Sequence, residues 1–174
     1  PAGIISASDD ARQKTVVDLI EERGRRNLFP AGRLDKDTEG LLILTNDGKL
    51  AHQLISPKSH VVKTYYVQTE EILPPSAGKL FSRPMVFEDF ISQPAQYQQL
   101  DERSALLSIH EGKYHQVRRM FAKIGCTVVY LRRDRFGNLD LEGLETGECR
   151  TLKEDELEAL KAQIGQLSAD EPND

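Results

Sequence analysis

The stretch Ala31-Gly32-Arg33-Leu34-Asp35-Lys36-Asp37-Thr38-Glu39-Gly40 gathers three acids between two glycines. Two chemistries suit such a loop. The first is calcium binding, since Asp35, Asp37, Glu39 and Gly40 follow the first half of a D-x-D-x-[DN]-G pattern. The second half fails: the twelfth position is Asn46, where a bidentate Glu is required, and Phe29-Pro30-Ala31-Gly32 cannot form the helix that should precede the loop. The other chemistry makes Asp35 a nucleophile. A carboxylate attacks an electrophilic carbon if it is kept ionised and aimed, and a guanidinium does both. Arg33 is one candidate partner, and basic residues from elsewhere are others. The plain alternative is a turn whose acids cap local amides.

Two further stretches carry chemistry. In Lys63-Thr64-Tyr65-Tyr66, strand alternation puts Lys63 and Tyr65 on one face. A tyrosine facing a cleft can stack on a nucleobase, worth roughly 1–3 kcal/mol per base. Tyr66, on the opposite face, is expected to be a core tyrosine with a satisfied hydroxyl. In Glu111-Gly112-Lys113-Tyr114-His115-Gln116-Val117-Arg118-Arg119-Met120-Phe121, helical spacing assigns Val117, Met120, Phe121 and Ile124 to an apolar face. That leaves His115, Arg118 and Arg119 for other work, in the first turns where free amides favour anions. Lys123 extends the basic stripe, and Arg132, Arg133 and Arg135 follow on the next strand and loop. Interleaved with Tyr114, Tyr130 and Phe136, these cations suit RNA, where backbone charge and base stacking act together.

Positioning these groups requires a set of elements. Val16, Val17 and Ile20 share one face of an expected helix near 12–23 that Gly24 ends. Asp47 caps a helix carrying Leu50, Ala51, Leu54 and Ile55, which Ser56-Pro57 stops. Gly125 supplies a left-handed stop to the helix over 117–124. Thr151 and Glu154 form a capping box ahead of Leu157, Leu160 and Ile164. Leu41-Leu42-Ile43-Leu44 reads as a buried central strand, and Val61–Thr69 as an alternating one. Ala95–Leu100 and Ala105–His110 form a hairpin around Asp101-Glu102-Arg103, and Thr127–Leu131 is another strand. The class is α+β, with a mixed, mostly antiparallel sheet flanked by helices.

The 174 residues suit one domain, and 39% hydrophobic with 29% charged residues excludes disordered and fibrous classes. No apolar run reaches the ~20 residues a membrane span needs. Two cysteines make no disulfide scaffold and no metal spacing, so a reducing, cytoplasmic setting is expected. The net charge of −5 hides an asymmetry. Residues 113–135 hold seven Lys/Arg against the single acid Asp134, whereas residues 142–174 hold ten acids against three cations. A polyanion would meet the local basic segment, not the average. The acidic end reads as a solvated helix face with a disordered tail over 168–174.

Gly32-Arg33-Leu34-Asp35, Lys63-Thr64-Tyr65 and Glu111–Phe121 together resemble the three signatures of the pseudouridine synthases, and within them the ribosomal branch, the RsuA/RluB/E/F group. Arg135-Phe136-Gly137-Asn138-Leu139 and Gly147-Glu148-Cys149-Arg150-Thr151-Leu152 fit as well. The resemblance implies the catalytic fold of that family over 1–167, with no trace of the S4 RNA-binding domain its members usually carry. It implies isomerisation of uridine to pseudouridine in ribosomal RNA, without metal, redox step or other cofactor. Asp35 would be the nucleophile, with attack at C1′ or C6 both open. Tyr65 would stack on the flipped uracil and serve as the base near C5. Arg118 would pair with Asp35, and Arg33 would take the place of the extruded nucleotide. Lys63, Lys113, His115, Gln116, Arg119, Arg132 and Arg133 would contact the RNA. Lys113-Tyr114-His115-Gln116 resembles the small-subunit (16S) enzymes, so the expected partner is 16S rRNA, free or in a partly assembled subunit, bound by a monomer with no membrane partner. A 23S target is the nearest alternative. A non-catalytic RNA-binding module is the alternative of a different class, and it would not need Asp35, which repels phosphate.

Overall fold

In the computed structural model of the chain, residues 1–20 and 27–169 are described. They fall into two compact units, one drawn from Pro1–Val61 and Gly137–Asp174, the other spanning Val62–Phe136.

In the first unit, strand β1 (Phe29–Ala31) pairs antiparallel with β3 (Ile43–Thr45), matching Phe29 to Thr45 and Ala31 to Ile43. The short β2 (Glu39–Gly40) lies between them in sequence. The run at 41–44 is therefore not a central strand. It feeds a two-stranded ribbon in which Ile43 is buried and Leu41, Leu42 and Leu44 are only half-buried. An apolar run signals burial but says nothing of how many strands flank it. Helix α1 (Gly48–Ile55) begins where expected, with the Asp47 carboxylate accepting from Leu50 N at 3.1 Å, and it packs on β1.

The helix expected near 12–23 is not formed over its described part. Asp10 accepts from the amides of Arg12 and Gln13, and Asp18 from that of Thr15, all at 2.8 Å. These short side-chain bonds compete with helical ones. Thr15 instead bridges to Ile5, and only a 3₁₀ turn, Val17–Leu19, remains. Residues 21–24 of that expectation lie outside the described residues. After the short β10 (Leu139–Asp140) comes α4 (Glu154–Ala169), which packs on the turn Pro57–Ser59. Its cap differs from the expected Thr151–Glu154 box: Glu156 accepts from Lys153 N at 2.9 Å and is held by both Arg150 Nη atoms at 2.6 and 2.7 Å. The helix reaches Ala169, inside the expected tail, and 170–174 lie outside the described residues.

The second unit is built on β4 (Lys63–Thr69), which pairs antiparallel with β8 (Ser104–Ile109) on one side and β9 (Val128–Phe136) on the other. Strand β7 (Gln96–Gln99) continues the sheet beyond β8 as the expected hairpin. Two helices, α2 (Ala77–Phe81) and α3 (Gln116–Lys123), and a small hairpin of β5 (Met85–Val86) and β6 (Ile91–Ser92) complete it. The core joins Val67, Ala105, Leu107 and Leu131 of the sheet to Phe81, Val117, Met120 and Phe121 of the helices. The rings of Phe81 and Phe121 meet at 4.9 Å. Gly125, at φ +86°, ends α3 as expected.

Candidate active site

Arg33 and Asp35 lie in the first unit. The turn that carries them starts at Gly32, whose φ of +89° suits glycine alone and whose α-carbon faces Ile55 Cγ2, 3.3 Å from where a Cβ would sit. Thr38 N then closes the turn on Asp35 O at 2.9 Å. The N-terminal segment grips both sides of Asp35. Leu34 N donates to Ser6 Oγ at 3.0 Å, and Gly3 N donates to Lys36 O at 2.6 Å. Asp35 is half-buried on this braced turn while Arg33 is exposed. A carboxylate so held is aimed by backbone, not by a flexible loop tip.

The other expected residues lie in the second unit. Tyr65 of β4 sits opposite Leu107 and Arg133, so all three side chains share the sheet face that the helices cover. Tyr65 is half-buried against the core cluster. Lys63 shares this face; its Nζ donates to His110 O at 3.0 Å and lies over the Phe136 ring at 5.9 Å. The Arg133 guanidinium lies over the same ring at 5.3 Å, and the residue is only 3% exposed. Burial first, then the neighbouring Arg133 charge, pushes the Lys63 ammonium down to about 8, with Glu111 opposing. Two cations thus lie on the same sheet face as a half-buried tyrosine.

Strand alternation separates Arg132 from Arg133. Arg132 sits opposite Tyr66 on the other sheet face, stacked over its ring at 5.0 Å and paired with Asp134 at 2.5 Å. That pairing holds its guanidinium firmly charged. Tyr66 is half-buried rather than core, meets Tyr130 edge-on at 6.0 Å, and its hydroxyl accepts from Gln68 at 2.9 Å.

Along α3 the basic residues have different tasks. Arg118 is half-buried, and its Nη1 donates to Val128 O at 3.3 Å, which ties it to the start of β9. Arg119 grips Asp89 of the β5–β6 hairpin at 2.5 and 3.1 Å and lies over Phe87 and Phe90 at 5.1 and 4.9 Å. The pairing holds the Asp89 carboxyl below its usual range. Lys123 bonds Val86 O and lies over Phe87 at 4.8 Å. Gln116 is buried: its Oε1 accepts from Lys113 N at 3.1 Å and its Nε2 donates to Glu111 at 3.3 Å, closing the loop ahead of the helix. Lys113 is exposed, and His115 occupies the left-handed N-cap at φ 47°. Sequence reasoning missed the hairpin's Phe87-Glu88-Asp89-Phe90 tip. Its signal was a short acidic run between two aromatics, a plausible partner for a basic helix.

Cations gathered around a ring that can stack are the equipment of a protein that handles RNA, and comparison with known proteins narrows that class. The family model described as RNA pseudouridylate synthase matches residues 1–123. An uncharacterized RNA pseudouridine synthase of Bacillus subtilis (strain 168), YtzG, is 46% identical over 167 residues, 92% of this chain and 70% of its own. Ribosomal small subunit pseudouridine synthase A of Vibrio cholerae is 40% identical, covering 92% of this chain and 71% of the relative. Ribosomal large subunit pseudouridine synthase B of Bacillus subtilis is also 40% identical, covering 93% and 69%. A crystal structure of a pseudouridylate synthase is similar at a TM-score of 0.86 and 37% identity over 92% of this chain and 70% of that one. The chain belongs to the RNA pseudouridylate synthases, the enzymes that isomerise uridine in RNA to pseudouridine. RNA is its partner, and no helix among the described residues is long and apolar enough to cross a membrane.

Proposed function

We propose that this enzyme isomerises one uridine of ribosomal RNA, in the 16S molecule, with Asp35 as nucleophile. The observation that carries the reading is that the family match over residues 1–123 contains Asp35, Tyr65 and Arg118 together. The target uridine is flipped from its helix at a cost of a few kcal/mol, which phosphate contacts and the tyrosine stack offset. Asp35 attacks, and the N1–C1′ bond breaks. The freed uracil rotates on the Tyr65 ring, the C5–C1′ bond forms, the bond that Asp35 made breaks to release the carboxylate, and the proton that C5 gives up near Tyr65 is balanced by one taken up at N1. Arg118 supplies the guanidinium that orients the carboxylate for attack. Arg33, exposed on the Asp35 turn, fills the gap left in the RNA.

Relatives named for the small and the large subunit match at equal identity. The Lys113-Tyr114-His115-Gln116 stretch supports the small subunit, as naked 16S rRNA or a partly assembled particle. The same reading makes the enzyme a cytoplasmic monomer. Its cysteines, Cys126 buried and Cys149 exposed, are both free, in keeping with a reducing compartment.

The test maps pseudouridine in 16S and 23S rRNA after incubation with wild type and with Asp35→Asn, which keeps shape and removes the nucleophile. The expected result is one new pseudouridine in 16S rRNA with wild type and none with the variant, while both bind the RNA. Conversion in 23S rRNA alone overturns the 16S assignment. Activity retained by Asp35→Asn overturns the catalytic role.

A further inference from the structure

Tyr114 is 73% exposed, more than any other large hydrophobic side chain among the described residues. Its ring lies flat against that of His115, with centroids 3.8 Å apart and planes 15° from parallel. A tyrosine ring held so far into solvent on a half-buried histidine contributes little to the core, so folding does not explain it. Its backbone is nonetheless rigidly set. Gln116 closes the loop on Lys113 N and Glu111, and Arg119 Nη1 donates to Tyr114 O at 3.2 Å.

The surroundings are positive. Residues 113–123 carry Lys113, Arg118, Arg119 and Lys123 and no acid. Of the acids on neighbouring loops, Asp89 is held by Arg119 and Glu111 by Gln116 and the Gln93 amide, while the exposed Glu88 acts on Arg119. A flat ring, already oriented and set beside an exposed lysine, matches an unpaired nucleobase with its phosphate.

We propose that the Tyr114–His115 stack is a platform for one unpaired base of the RNA substrate beside the target uridine, with Lys113 neutralising the adjacent phosphate. The proposal rests on the RNA-modifying function above and adds a subsite distinct from the Tyr65 face. One ring face of Tyr114 is spent on His115 and the outer face receives the base. Because every base has a π-face, the platform tolerates sequence and contributes affinity, not the chemical step. Its pre-set backbone means that little freedom is lost on binding.

The test measures binding of a mixed-sequence single-stranded oligoribonucleotide by fluorescence anisotropy across a salt series, alongside pseudouridine formation on rRNA. Tyr114→Ala is expected to weaken binding about 5- to 150-fold, the range that roughly 1–3 kcal/mol per stacked base gives, at every salt concentration. Tyr114→Phe keeps wild-type affinity, since the ring remains. Lys113→Ala instead lowers the magnitude of the salt slope by about 1, as loss of one phosphate contact should. On rRNA, Tyr114→Ala raises KM and leaves kcat at saturating RNA unchanged, with an unaltered melting temperature. Wild-type binding by Tyr114→Ala, or failure of Tyr114→Phe as severe as that of Tyr114→Ala, overturns the platform. A fall in kcat with KM unchanged does so too. If wild type converts no uridine, the proposed reaction falls while the binding series still decides the platform.

Discussion

Replacing Lys63 by methionine tests whether a buried ammonium is held against its preference. Lys63 sits beneath the Phe136 ring with Arg133 close by, and its pKa falls from the ordinary 10.5 to about 8, burial being the larger cause and Arg133 the next. The folded state therefore binds fewer protons than the unfolded state between these values, and stability rises with pH across that window. Below about pH 8 the full cost of keeping the charge is present; above 10.5 it is gone. At about 1.4 kcal/mol per unit of pKa, the interval amounts to about 3 kcal/mol. Lys63→Met removes this cost and also the bond to His110 O, worth roughly 1.5–3 kcal/mol for a charged donor. The two offset one another near neutral pH, so the absolute change there is small. The swing carries the information: relative to wild type, the variant loses about 3 kcal/mol between pH 7 and 10.5. Urea unfolding followed by circular dichroism at several pH values measures it. Comparing the two proteins cancels opposing groups such as Cys126, whose thiol burial pushes up. A stability difference that stays flat across the window, within about 1 kcal/mol, refutes the reasoning.

Two other substitutions probe the packing that holds the site. The Tyr97 hydroxyl is buried with no hydrogen-bond partner among the described residues, and burial raises its pKa. Tyr97→Phe is expected to be neutral or to stabilise by up to about 1–2 kcal/mol, read as a rise in the urea midpoint. Gly32→Ala forces a side chain into a left-handed residue against Ile55. A loss of about 1–2 kcal/mol is expected, with reduced pseudouridine formation because the Asp35 turn shifts.

Much of the scaffold was legible because its signals are local. The Asp47 cap, the stop at Gly125, the apolar face of Val117, Met120 and Phe121, and the turn at Asp101-Glu102-Arg103 each involve residues a few positions apart, and each forms as read. The alternation that put Lys63 and Tyr65 on one face is equally local. The same rule parts Arg132 from Arg133, because the strand runs beyond the expected Leu131 to Phe136. The described part of the expected helix near 12–23 does not form, for a different reason. Asp10 and Asp18 offered the backbone closer partners than a helix would, and Thr15 and Val17 are buried to either side of a half-buried Val16.

The sequence by itself determined the class of the molecule and the motifs that carry its chemistry. Glycines, caps and alternating faces act over a few residues and leave their mark in residue order. What each charged group experiences was decided only by tertiary structure. Arg119 turned towards Asp89, Arg132 towards Asp134, and Lys63 into the company of Arg133. Burial and Coulomb interactions depend on distances across strands and hairpins, and no count of residues along the chain contains those distances.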